Sequence, residues 1–205
     1  MKVIFLDIDG VMNSQVFYTD RHKKFYKRIK RLYYWSISWL RLLVTGSRYK
    51  TYSFANYKPN PKHFEFDYTF KRLVEETDQK KWMWLSEWCN AYDIKICVSS
   101  VWKNHFKDVS DWNKALIKLG FNDGIFVGIT GNRRTERGTE IKEWIDLNNN
   151  ESSENYFWYG GIDKYAIIDD DSDMLPDQMK SFFLVDGYYG LTPNLLYRIK
   201  LHFNN

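Results

Sequence analysis

At 205 residues and 44% apolar composition, the chain is long enough to bury one substantial core. It holds no 18-residue apolar run, the nearest being Leu32 to Leu40 before Arg41, which excludes a membrane-spanning helix. Its net charge of +4 is unevenly spread: residues 21–50 carry ten Lys or Arg and no acid, leaving 20 basic and 26 acidic residues elsewhere. The arm is suited to polyanions and the body to cations.

In chain order, Val3 to Leu6 reads as a buried strand that delivers Asp7 to its end. Asp7 and Asp9 stand in i, i+2 register, so while strand geometry persists their carboxylates point the same way. Two carboxylates on one side require a cation between them or a proton on one, which makes the pair a metal or acid/base candidate. Gly10 allows a sharp turn away.

The segment from Val11 to about Pro61 breaks the regular α/β alternation. It holds the basic run Arg21 to Arg31 and an aromatic-rich stretch, Leu32 to Leu40, read as helix. Asp67 to Tyr92 has helical spacing, with Trp82, Leu85, Trp88 and Cys89 on one apolar face. It feeds a second strand, Ile94 to Val98, ending in Ser99 and Ser100. Ser110 is the expected N-cap of a helix running to Leu119, and Ile125 to Ile129 forms another strand.

Arg133, Arg134 and Arg137 follow, the last opening an amphipathic helix with Ile141, Trp144 and Ile145. An arginine at a helix start opposes the helix dipole unless it faces an anion or an acid. Asn148 to Asn155 reads as a mobile polar loop. Tyr165 to Ile168 is a fourth short strand, ending in Asp169, Asp170, Asp171 and Asp173. Ser181 to Val185 is a further strand, and Thr192-Pro193 caps a last helix with Leu195, Leu196, Ile199 and Phe203 on its apolar face.

Cys89 and Cys97 are read as buried reduced thiols. Four histidines without ligand spacing disfavour zinc, and no P-loop is present. With no charged-then-apolar leader ahead of Lys2, a cytoplasmic location is expected.

These motifs together resemble the haloacid dehalogenase-like hydrolase superfamily. The resemblance rests on Asp7-Ile8-Asp9-Gly10-Val11, Ser99 or Ser100, Arg137 and Asp169-Asp170, in that order. More narrowly, Ser100-Val101-Trp102-Lys103, Arg137-Gly138-Thr139-Glu140-Ile141 with Trp144, Asp169 to Met174 and Gly190-Leu191-Thr192 resemble the haloacid dehalogenase domain of Swiss Army Knife RNA repair proteins. Residues 14–80 lie outside the resemblance.

It implies an α/β fold, a Rossmann-like three-layer sandwich with a mainly parallel central sheet and a cap insertion after the first strand. Residues 1–13 and 62–205 would form the phosphatase core and residues 14–61 the cap. It also implies a Mg2+-dependent phosphomonoesterase with Asp7 as nucleophile and Asp9 as acid/base. Ser99 or Ser100 and Arg137 would hold the phosphoryl group. Gly10, Lys103, Arg133 and Arg134 are expected to meet substrate. Asp7, Asp9, Asp169, Asp170 and Asp173 are the candidate metal ligands. The expected partners are a phosphorylated substrate and nucleic acid, the latter through residues 21–50.

Overall fold

The computed structural model describes residues 1–22, 64–106, 108–119, 121, 123–131, 136–154, 156 and 161–204. Five strands form one parallel sheet: β1 (Lys2–Leu6), β2 (Ile94–Val98), β3 (Phe126–Ile129), β4 (Lys164–Asp169) and β5 (Phe182–Leu184), in the order β3-β2-β1-β4-β5. The described helices are α1 (Gln15–His22), α2 (Phe64–Glu76), α3 (Gln79–Tyr92), α4 (Val109–Leu119), α5 (Arg137–Asn149) and α6 (Pro193–Asn204).

The apolar run of β1 takes the central place because it is buried on both faces. Ile4 and Leu6 join the larger core with Ile94, Ile96, Val98, Ala166 and Ile168, which α2, α3, α4 and α6 cover. Val3 and Phe5 point the other way, into a smaller core of Cys97, Val127 and Ile167 closed by Ile141 and Trp144 of α5. The result is the three-layer α/β sandwich expected from the sequence. Fully burying a side chain such as Ile4 or Leu6 contributes about 1.5–3 kcal/mol. The tryptophans at 82 and 112 are fully buried, and Trp84 and Trp88 pack on the same core.

The chain steps outward from β1 through β2 to β3, then returns to place β4 on the other side of β1. The strand order reverses there, and the carboxyl ends open into the crevice where such sheets bind ligands. Register fixes what meets in it. Leu6 pairs with Val98 on one side and Ile168 on the other. The residues that follow them, Asp7, Ser99 and Asp169, therefore stand at one level.

Several local expectations need correction. The helical stretch 67–92 is two helices: Thr77 turns its hydroxyl onto the Leu73 carbonyl, and Asp78 caps α3 by accepting from the Lys80 N–H at 3.0 Å. Short polar side chains at both positions compete with the helical ladder. The cap of α4 is Asp108, not Ser110, since its carboxylate accepts from Asp111 N at 3.0 Å. Asn148, read as loop, is buried in α5 and donates to the Trp144 carbonyl at 2.7 Å.

Thr192 caps α6 as expected, its hydroxyl accepting from Leu195 N. Cys89 and Cys97 are free, and burial raises both thiol pKa values. The basic run beyond His22 and the aromatic stretch 32–40 lie outside the described residues. Among those described, no helix is long and apolar enough to cross a membrane.

Candidate active site

Asp7 leaves β1 still in the ladder, its N–H bonded to the Ile168 carbonyl at 3.0 Å, and its side chain is buried. The strand then ends. The chain turns at Gly10, whose φ is +65°, and the Asp9 carboxylate swings to Asn13 Nδ2 at 2.6 Å and Trp102 Nε1 at 2.9 Å. The i, i+2 pair therefore does not form the metal cluster by itself. The carboxylates that cluster are Asp7, Asp169 and Asp170, each with a ligand oxygen within 4.8 Å of the others.

Asp170 fits beside Asp7 because two glycines leave it room. A methyl added at Gly10 would lie 1.9 Å from Asp170 Oδ2, and one at Gly187 2.9 Å from it. The Gly10 N–H donates to Asn13 Oδ1 at 2.9 Å, so this glycine's part is steric clearance and a left-handed turn.

Arg137 opens α5 and reaches back across the sheet edge. Its Nη1 contacts Asp7 Oδ1 at 2.6 Å, the Ser99 carbonyl at 2.7 Å and Asp169 Oδ2 at 2.7 Å. This is the acid-facing environment that an arginine at a helix N-terminus needs. Asp173 stabilises that start directly, its carboxylate accepting from Arg137 N at 3.1 Å and its carbonyl from Gly138 N at 3.1 Å.

The two serines separate by role. Ser100 caps the 3₁₀ turn Val101–Asn104, its hydroxyl accepting from Trp102 N at 3.4 Å. Ser99 gives its carbonyl to Arg137, while its hydroxyl is buried with no partner among the described residues. Lys103 turns inward: its ammonium meets Glu140 Oε2 at 2.5 Å, Thr130 Oγ1 at 3.4 Å and the Gly131 carbonyl. Glu140 lies one helical turn after Arg137, so this buried ion pair ties the start of α5 to the tips of β2 and β3. Arg133 and Arg134 lie outside the described residues.

Three contributors were given no role by the sequence. Asn13 holds both Gly10 and Asp9; a short amide four residues beyond Asp9, just past a glycine turn, was the available signal. Glu140 shares a helix face with Arg137, and that i, i+3 spacing was the signal for it. Lys81, on α3, donates to the Val11 carbonyl, Ser14 Oγ and the Tyr189 carbonyl at 2.7–3.0 Å, pinning the loop after Asp9 to the 186–190 turn. Nothing in sequence pointed to it.

Burial is the leading cause that raises Asp7 to about 6, against the opposing pull of Arg137 and Ser100. Burial and then the Asp7 charge raise Asp169 to about 7. Asp170 is raised as well, chiefly by burial. Carboxyls held above their ordinary range in a cluster of three are a fitting donor set for a hard divalent cation, which prefers oxygen ligands and offsets the repulsion.

A stability signature follows from these shifts. The folded state keeps protons on Asp7 and Asp169 that the unfolded chain has released, so the metal-free protein should lose stability as pH rises from about 4 to about 7. A divalent cation competes with those protons, and its addition should raise Tm more at about pH 8 than at about pH 5. Thermal melts at both values check this; equal rises would contradict it.

A parallel α/β sheet whose reversal point gathers an aspartate at the tip of the first strand, a basic residue from a later helix and further aspartates from β4 defines a haloacid dehalogenase-like hydrolase of the phosphatase type. Residues 3–195 match the family model of the haloacid dehalogenase domain in Swiss Army Knife RNA repair proteins, and the chain belongs to that family. No curated protein and no solved structure matches it.

Proposed function

We propose that the protein is a Mg2+-dependent phosphomonoester hydrolase that works through an aspartyl-phosphate on Asp7 and acts on nucleic-acid ends carrying a 3′-phosphate, or on nucleotides. The observation that carries the reaction class is the Asp7, Asp169 and Asp170 cluster with Arg137 bridging two of its members. Asp7, Asp169 and Asp170 would hold the cation, with the Asp9 carbonyl beside them. When bound, Mg2+ supplies neutralisation of the charge on the substrate's phosphoryl oxygens.

The chain's own groups do the rest. Asp7 attacks phosphorus as the bond to the leaving oxygen breaks, and Asp9 gives that oxygen its proton. Asp9 then takes a proton from water, whose oxygen attacks phosphorus and releases Asp7 and inorganic phosphate. Ser99 or Ser100 and Arg137 hold the phosphoryl oxygens, so that positioning and charge neutralisation carry most of the acceleration.

Support for a nucleic-acid substrate comes from the family's association with RNA repair and from the ten uncompensated basic residues of 21–50. In this reading residues 14–61 are a cap, and its Lys and Arg offset the repulsion between an acidic site and a polyanion. Each phosphate they neutralise adds salt dependence.

Reversing charges at Lys23, Lys24, Lys27, Arg28, Lys30 and Arg31 should lower affinity for a 3′-phosphorylated oligonucleotide and flatten its salt slope, while turnover of a small aryl phosphate changes little. An unaltered slope would leave a nucleotide or small-metabolite phosphatase as the better reading. A panel of nucleotides, 3′-phosphorylated oligonucleotides and sugar phosphates, each with and without Mg2+, tests the substrate class.

A further inference from the structure

We propose that Trp102 and Asn13 are positioning residues that hold the acid/base Asp9 with Oδ1 turned inward and Oδ2 presented as the one atom that carries and transfers the proton. The inference rests on the hydrolase reading above and adds to it which oxygen of Asp9 acts and what aims it.

Both groups that meet Oδ1 can only donate. The Trp102 indole N–H, 2.9 Å away, has no acceptor capacity. The Asn13 amide, 2.6 Å away, is fixed in orientation from its other end, where its Oδ1 accepts from Gly10 N at 2.9 Å. Its NH2 must therefore face Asp9. A proton on Oδ1 would point at two donors, so protonated Asp9 carries its proton on Oδ2. Among the described residues no hydrogen bond is made to Oδ2, which leaves that oxygen for the leaving group and then for water.

Trp102 is itself braced. It is 3% exposed, and the Arg72 guanidinium lies 5.3 Å from its ring centroid. The His105 ring meets its edge at 5.2 Å and 82°. Arg72 is held by Glu76 through paired bonds of 3.0 and 2.9 Å and approaches His105 Nε2 at 3.3 Å. The brace on the acid/base thus comes from α2, the helix that returns from the insertion. The 3₁₀ turn that follows β2 is itself capped by Ser100 and carries Trp102 to Asp9.

Leaving-group chemistry separates aiming from mere packing. An alkyl alcohol must be protonated as it departs, whereas para-nitrophenolate leaves without help, and kcat/KM reports the steps through that departure. Trp102→Phe keeps an aromatic ring and removes the donor. With Mg2+ present, its kcat/KM should fall about 10–100-fold for an alkyl phosphate, with a loss for para-nitrophenyl phosphate smaller by at least about tenfold. In an Asp9→Asn background the same substitution should open no further gap between the two esters.

If Trp102→Phe does not fold, benzothienylalanine at position 102, an isostere without the N–H, should give the same unequal losses. Equal losses on both esters, or no loss on the alkyl ester, would overturn the proposal. A wild-type protein that hydrolyses neither ester with Mg2+ would overturn the hydrolase reading itself, and this inference with it.

Discussion

Asp7→Asn is expected to reduce Mg2+-dependent turnover by at least about 10⁴-fold while the fold stays intact. The amide matches the carboxylate in shape, and its oxygen can still accept from Arg137 Nη1, which lies 2.6 Å from Asp7 Oδ1. It lacks the charge that attacks phosphorus. The same change should not destabilise the protein at neutral pH. Burial lifts the Asp7 carboxyl from 3.8 to about 6, so the ionised nucleophile is held at a cost on the order of 3 kcal/mol, which a neutral isostere removes. A thermal melt near pH 8 without metal should show the variant at or above the wild-type Tm. Loss of activity accompanied by a lowered Tm would assign Asp7 a structural part instead.

Arg137→Ala should have the next largest effect, a fall of about 10³-fold in kcat/KM, because it removes a phosphoryl-holding donor together with the positive charge between Asp7 and Asp169. Arg137→Lys is the informative partner. All three contacts of the guanidinium to Asp7, Ser99 and Asp169 run through Nη1, and a single ammonium with three donors can reproduce those. It cannot supply the remaining guanidinium donors to a phosphoryl group. Lysine should therefore restore much of the activity, leaving a deficit of about tenfold. If Arg137→Lys were as damaged as Arg137→Ala, the bidentate geometry rather than the charge would be what matters.

The sheet and its acidic tips were legible because each rests on a local signal. The runs Val3 to Leu6, Ile94 to Val98 and Tyr165 to Ile168 are short, apolar and followed at once by Asp or Ser. A parallel sheet brings such ends to one edge. Period alone does not say which neighbour stands at which level, however, and it is the pairing of Leu6 with Val98 and Ile168 that brings Asp7, Ser99 and Asp169 together.

Asp7 and Asp9 part company for a related reason. The i, i+2 rule holds only within a strand, and this one ends at Leu6, so Asp9 belongs to a turn governed by Gly10 and Asn13. The serine ambiguity had the same root. Counting cannot decide between Ser99 and Ser100: Ser99 follows Val98, which pairs with Leu6, and so stands level with Asp7, while Ser100 caps the turn that starts at Val101. Lys103 shows the limit of charge reading: a lysine beside a phosphate motif looks like an anion contact, and Glu140, a helix away in sequence, takes up its ammonium instead.

The most direct measurement is to mix the protein with Mg2+ and para-nitrophenyl phosphate, quench in acid during turnover and locate the covalent phosphoryl group by borohydride trapping and peptide mass spectrometry. The expected result is a single acyl phosphate on Asp7 that requires Mg2+ and is absent from Asp7→Asn. Sustained hydrolysis with no modification at Asp7, or with the phosphoryl group on another residue, would contradict the nucleophile assignment on which the mechanism stands.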